Sequence, residues 1–213
     1  MMDKTKLVVF DLDGTLVDAY PAIVESFNYT MRALKYPVRD ALTIRRAVGW
    51  GDRNLLKPFV KADDLGRALS IYRRHHQKAL LKGARLAAGS SRVLAYLKAR
   101  NYKIAVASNR PTRFSRIIIR HLKLDRYFAY VLCADKLRHG KPHPEILNKI
   151  RRRFSLEPGQ VLYVGDMAID AQAGRRAKVK TIIVNSGSSK RSEIVKERPY
   201  RVISRIAGLL RII

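Results

Sequence analysis

Residues 11–18 read Asp-Leu-Asp-Gly-Thr-Leu-Val-Asp and follow at once on the apolar run Leu7-Val8-Val9-Phe10. An unbroken apolar tetrapeptide stopped by an acid and a glycine is the pattern of a strand buried on both faces that ends in a turn. Four later runs, at 103–107, 130–133, 161–164 and 181–184, read the same way. Helical patterns separate them. Ser90 and Ser91 offer caps for a helix to about residue 100, and Pro111 and Pro142 open helices to about residues 122 and 154. Further helices are expected at 168–177 and 204–213. Strands alternating with helices of this length predict a parallel sheet covered on both sides. Residues 17–83 break the rhythm, with helical periodicity at 20–35, 40–48, 53–60 and 64–82 and no strand pattern. The expected fold is therefore α/β, a doubly wound, Rossmann-like parallel-sheet core built from 1–16 and 84–213. An all-helical insert spans 17–83.

The chain has 213 residues, 47% of them hydrophobic, which is enough for one sizeable core and a smaller appended unit. A disordered chain is excluded on that ground. The single cysteine, Cys133, lies in an apolar run and reads as a small buried thiol. It forms no internal disulfide, so a reducing cytoplasm is the expected setting. The opening Met-Met-Asp-Lys-Thr-Lys precedes too short an apolar stretch for a signal peptide, and no window has the length of a membrane span. A soluble protein is expected. The charge is lopsided: 44 Lys and Arg stand against 17 Asp and Glu, for a net +27. Basic residues outnumber acidic ones 13 to 6 in 17–83 and 29 to 8 in 84–213, so the excess is no tail. Such a field favours anionic partners without choosing among phosphorylated metabolites, nucleic acid and acidic lipid.

Four short stretches lie at or between the predicted strands: Asp11-Leu12-Asp13-Gly14-Thr15, Ser108-Asn109, Lys141-Pro142, and Gly165-Asp166 with Asp170. In a doubly wound sheet the loops beyond the carboxyl ends of the strands share one crevice. A carboxylate attacking phosphorus needs its own charge and that of the phosphoryl oxygens neutralised. Asp11 and Asp166 are hard oxygen ligands suited to Mg²⁺, with Asp13 included in the candidate metal set. Lys141 supplies a point charge, and Ser108 and Asn109 are candidate phosphate donors. Asp13, two residues from Asp11, projects to the same side and is placed to act as acid and base. Gly14 permits the bend, with Thr15 in support, and Asp170 lies one helical turn from Asp166. Trp50 and Arg53 are candidate substrate contacts from the insert. His139 and His143 lack further ligands and read as solvent-exposed.

These motifs resemble the haloacid dehalogenase superfamily over nearly the whole chain. DLDGTLVD at 11–18 is similar to its first motif, Ser108-Asn109 to its second, GKPHPE at 140–145 to its third and VGDMAID at 164–170 to its fourth. The resemblance implies Asp11 as nucleophile, Asp13 as acid/base, Ser108 and Lys141 as phosphate ligands and Asp166 as a magnesium ligand. It also implies a five-stranded core with a mobile helical cap. Within the superfamily, AVGWGDRNLL at 47–56 and Tyr127-Phe128 resemble phosphoglycolate phosphatase-like enzymes. Ala84-Arg85-Leu86-Ala87-Ala88-Gly89 and Lys178 depart from that branch. The expected activity is Mg²⁺-dependent hydrolysis of a small phosphate monoester, phosphoglycolate- or sugar-phosphate-like, through an aspartyl-phosphate. A phosphomutase or pyrophosphatase on the same core is the nearer alternative. Nucleic-acid binding, or a phosphatase of nucleic-acid ends, is the alternative that the charge suggests, and it ranks lower because no nucleic-acid-binding motif accompanies the charge.

Overall fold

The computed structural model describes residues 5–213. The Met-Met-Asp-Lys start, read above as part of no signal peptide, lies outside the described residues. In chain order the elements are β1 (Leu7–Phe10), β2 (Val17–Asp18), α1 (Tyr20–Ala33), α2 (Ala41–Ala47), α3 (Asp52–Leu56), α4 (Leu65–Gly83), β3 (Arg85–Leu86), α5 (Ser90–Ala99) and β4 (Lys103–Ser108). There follow α6 (Thr112–His121), β5 (Tyr130–Cys133), α7 (Glu145–Arg153), β6 (Val161–Gly165), α8 (Ala168–Arg176), β7 (Lys180–Val184), α9 (Arg191–Lys196) and β8 (Arg201–Ile203). A 3-10 helix at Ile206–Arg211 closes the described chain.

Six strands form one parallel sheet in the order β5-β4-β1-β6-β7-β8. The central strand β1 is flanked by β4 and β6, so the order reverses beside it and a crevice opens at its carboxyl end. Alternation along the strands sends side chains to both faces. Val8, Phe10, Ile104, Val106, Leu162 and Val164 pack against α5 and α6 on one side. Leu7, Val9, Ala105, Ala107 and Tyr163 pack against α7 and α8 on the other. Burying both faces is why β1 carries no polar residue. Each such side chain is worth roughly 1.5–3 kcal/mol of transfer free energy.

The insert has a core of its own. Ile23, Phe27 and Met31 recur every fourth residue along α1 and meet Leu65, Ala68, Leu69 and Tyr72 of α4, with Ile44, Leu55 and Leu56 closing the cluster. Its two connections run through β2 and β3, which pair antiparallel as a two-stranded ribbon. No helix of the described residues is long and apolar enough to cross a membrane.

Five of the sequence expectations need correction. The sheet has a sixth strand, β8, where five were expected, because Arg201-Val202-Ile203 is too short to stand out from its polar flanks. A helix expected over 204–213 is a 3-10 turn, and α9 was not anticipated. Ser90 does not cap α5: Gly89 holds that position, and the Ser90 hydroxyl donates to the Leu16 carbonyl at 2.9 Å. The helix expected from Pro142 starts later, at Glu145.

Candidate active site

Asp11 leaves the end of β1, and its carboxylate Oδ1 accepts from the Lys141 ammonium at 2.7 Å. The same ammonium donates to Asp170 Oδ1 at 2.8 Å and to the Tyr163 hydroxyl at 3.1 Å. Tyr163 donates to Asp170 Oδ1 at 2.6 Å, while Asp170 Oδ2 accepts from the backbone N–H groups of Asp166 and Met167 at 3.2 and 3.0 Å. Four donors therefore fill both oxygens of Asp170. Its carboxylate fixes Lys141 and the first turn of α8. Burial works against the Lys141 charge, yet Asp11 and Asp170 outweigh it and hold the ammonium above its usual range.

Gly14 adopts φ +80°, and a Cβ there would lie 2.1 Å from Asp166 Oδ2. The glycine is required twice, for its left-handed backbone and for the close approach of that carboxylate. Thr15 donates to Asp166 Oδ1 at 3.0 Å, and Asp166 Oδ2 is buried without a partner. Burial, reinforced by the charges of Asp11 and Asp170, raises Asp166 well above the carboxylate range. Burial likewise lifts Asp11 to about 6 despite Lys141.

Oxygens of Asp11, Asp166 and Asp170 lie within 4.8 Å of one another. Around them, four carboxylates (Asp11, Asp13, Asp166, Asp170) face two buried cations (Lys141 and Arg110). An uncompensated negative balance, all-oxygen donors and an orphaned carboxylate oxygen fit a hard divalent cation. Since Asp170 is saturated, Asp11 and Asp166 are the carboxylates with capacity to hold it.

Asp13 faces a different partner. The Arg110 guanidinium forks it, with Nε to Oδ2 at 2.6 Å and Nη2 to Oδ1 at 2.9 Å. The structure pairs this carboxylate with a cation, and the cluster of groups close enough to share a metal ion comprises Asp11, Asp166 and Asp170 without it. Arg110 Nη1 also meets His76 Nε2 at 2.7 Å, and an arginine only donates, so His76 is neutral with its proton on Nδ1. That nitrogen lies 3.0 Å from the Ser26 hydroxyl, which donates to the Ala22 carbonyl. Burial and the adjacent guanidinium drive the His76 pKa down to about 2.

Ser108 reaches the same cavity, and its oxygen accepts from the Arg110 N–H at 3.1 Å, leaving its proton free for a ligand. Asn109, expected to bind phosphate, is engaged elsewhere. Its amide brackets the Lys141 backbone (Oδ1 from N at 2.8 Å, Nδ2 to O at 2.9 Å) and reaches the Gly49 carbonyl of the insert at 2.8 Å. Trp50 and Arg53 are also corrected: both side chains are exposed and neither lines the cavity. Gly49 at φ +115° and Gly51 at φ +84° turn the loop so that its backbone, not the indole, faces the core. His139 and His143 are exposed, and among the described residues no metal-competent cluster includes them.

The cavity measures about 60 Å³ and lies between the insert and the sheet. Tyr20, Tyr72 and His76 line it from the insert, and Arg110 from the core. None of these four was singled out in the sequence as a site residue, nor was Tyr163. Tyr163 had a signal: a phenol in the otherwise aliphatic strand Val161-Leu162-Tyr163-Val164 needs a buried partner. Arg110 follows Ser108-Asn109 directly, but only the fold shows that it turns towards Asp13. Cys133 is buried beside the Ser115 hydroxyl at 3.3 Å and burial pushes its thiol up, in keeping with an inert role.

A parallel sheet with a helical insert after its first strand, and an acid-Lys-acid cluster at the strand ends, define a class. The chain belongs to the haloacid dehalogenase-like hydrolase family, whose model matches residues 8–184. Among its relatives, a phosphoglycolate phosphatase of Nitrosospira multiformis is 32% identical over 180 residues, covering 81% of this chain and 79% of that protein. The N-acetylmuramic acid 6-phosphate phosphatase of Pseudomonas putida is 29% identical over 188 residues, covering 86% and 84%. The crystal structure of a predicted phosphoglycolate phosphatase from Haemophilus somnus 129pt is similar with a TM-score of 0.92, at 26% identity and 98% coverage of each chain.

Proposed function

We propose that this protein hydrolyses a small phosphate monoester, phosphoglycolate- or sugar-phosphate-like, through an aspartyl-phosphate on Asp11. The observation that carries the reading is the convergence on one buried cavity of Asp11, paired with Lys141, and of Asp13, held apart from it by Arg110. Two carboxylates in such different company suit two roles. Asp11 attacks phosphorus; the bond from phosphorus to the leaving oxygen breaks, and Asp13 gives that oxygen its proton. Water then attacks the phosphorus of the acyl phosphate, Asp13 takes the water's proton, and phosphate departs with Asp11 restored. Lys141 and the Ser108 hydroxyl neutralise and orient the phosphoryl oxygens. Mg²⁺, when bound by Asp11 and Asp166, supplies charge neutralisation between nucleophile and phosphoryl group.

Residues 17–83 act in this reading as a cap over the core formed by 1–16 and 84–213, excluding bulk water during transfer. The small cavity supports a compact leaving group, and the names of the relatives point the same way. Asp11→Asn is expected to abolish Mg²⁺-dependent phosphate release from an aryl phosphate while the circular dichroism spectrum stays that of the wild type. Full retained activity sinks the mechanism. A release screen over phosphoglycolate, sugar phosphates, nucleotides, pyrophosphate and phosphorylated nucleic-acid ends then ranks the substrates.

A further inference from the structure

One buried donor in the cavity has no task. Tyr20, the first residue of α1, is 7% exposed, lines the cavity with Asp11, Asp13, Ser108 and Lys141, and its hydroxyl has no hydrogen-bond partner. Leaving a phenol hydroxyl buried and unbonded carries a desolvation penalty that a fold avoids unless something else completes the bond.

The ring is held firmly. Tyr20 N–H donates to Asp18 Oδ1 at 3.1 Å, and the Arg45 guanidinium lies 4.2 Å from the ring centroid. Arg45 Nη2 donates to the Ser186 carbonyl at 2.5 Å, and Ser186 Oγ donates to the Gly14 carbonyl at 2.6 Å. The aromatic ring is thereby tied to the turn that carries Asp11 and Asp13. Burial first, and then the negative charge of Asp166, keep the phenol protonated, with Asp13 and Asp11 adding to the same effect and Arg45 opposing it. Tyr20 thus lines the cavity with a buried hydroxyl that keeps its proton and donates to no protein group.

We propose that Tyr20 is a further catalytic residue: its hydroxyl donates to an oxygen of the phosphoryl group held between Asp11, Ser108 and Lys141. The insert thus contributes a direct phosphate contact, in addition to covering the site. This rests on the phosphatase reading above and adds a substrate-contacting residue to it.

The test is Tyr20→Phe in the full chain with Mg²⁺, measured by direct binding of inorganic phosphate and orthovanadate, by steady-state kinetics, and by thermal unfolding without ligand. The expected result is phosphate and vanadate affinity weakened roughly tenfold or more, the scale of one hydrogen bond to a charged group. A matching fall in kcat/KM accompanies it. The ligand-free melting temperature is unchanged within about 2 °C or raised, because the variant removes an unpaired buried hydroxyl. Phosphate binding and kcat/KM within about twofold of wild type overturn the proposal while leaving the phosphatase reading intact. A clear loss of ligand-free stability with unchanged phosphate affinity overturns it too, since the hydroxyl then serves the fold. Wild-type protein that neither binds phosphate nor releases it from any ester overturns both.

Discussion

Asp11 and Asp13 stand two residues apart, yet their surroundings separate them chemically. Asp11 is buried against Lys141, and Asp13 is clasped by Arg110. If Asp13 protonates the leaving oxygen, the Arg110 fork sets where that proton is delivered. Arg110→Gln is expected to lower kcat for an alkyl phosphate by about tenfold or more beyond its effect on a nitrophenyl phosphate, whose leaving group needs little acid assistance. Equal losses on the two esters assign Arg110 to phosphate binding or folding. At this scale the sequence was informative for Asp11 and Lys141, which its motifs single out and which the structure brings to 2.7 Å of one another. It was silent for Arg110 because a lone basic residue after a strand has many solvated fates in a chain so rich in them.

At the scale of elements, α4 reaches the cavity through Tyr72 and His76, and the neutral imidazole of His76 accepts from Arg110. His76→Leu strands a guanidinium N–H and is expected to cost about 2 kcal/mol, or roughly 4–8 °C in melting temperature. The titration has a definite sign. Its folded pKa, about 2, lies below the unfolded value of 6.5, so its contribution is complete above about pH 6.5 and lost as pH falls towards 2. Relative to His76→Gln, which keeps an acceptor and cannot titrate, the wild type should lose stability steadily between about pH 6.5 and pH 4. Parallel curves exclude the assignment. The helical period of α4 is legible in the sequence, but nothing there separates His76, a buried acceptor, from its neighbour His75.

At the scale of the whole molecule, the net charge of +27 surrounds a centre in which carboxylates outnumber cations. Such a field draws anions towards the cavity from a distance, and salt screens it over roughly 8–10 Å at physiological ionic strength. The value of kcat/KM for a phosphate dianion is expected to fall several-fold between about 20 mM and 500 mM salt, with kcat changing less. A salt-independent kcat/KM removes steering as a role for the charge. The alternation of apolar strands with helices, and its interruption at 17–83, determined the class of fold from sequence alone, because the periods of strand and helix are local properties of the chain. The acids at strand ends located the carboxylate cluster for a related reason: parallel topology sends all those ends to one crevice. Only the tertiary structure decided that Asp13 faces Arg110, that Asn109 braces the Lys141 backbone, that Trp50 turns outward and that Tyr20 turns in. The first two depend on loops of the core far apart in sequence and the last two on how the insert meets that core, and in both cases side-chain direction is set by non-local packing that no sequence period encodes.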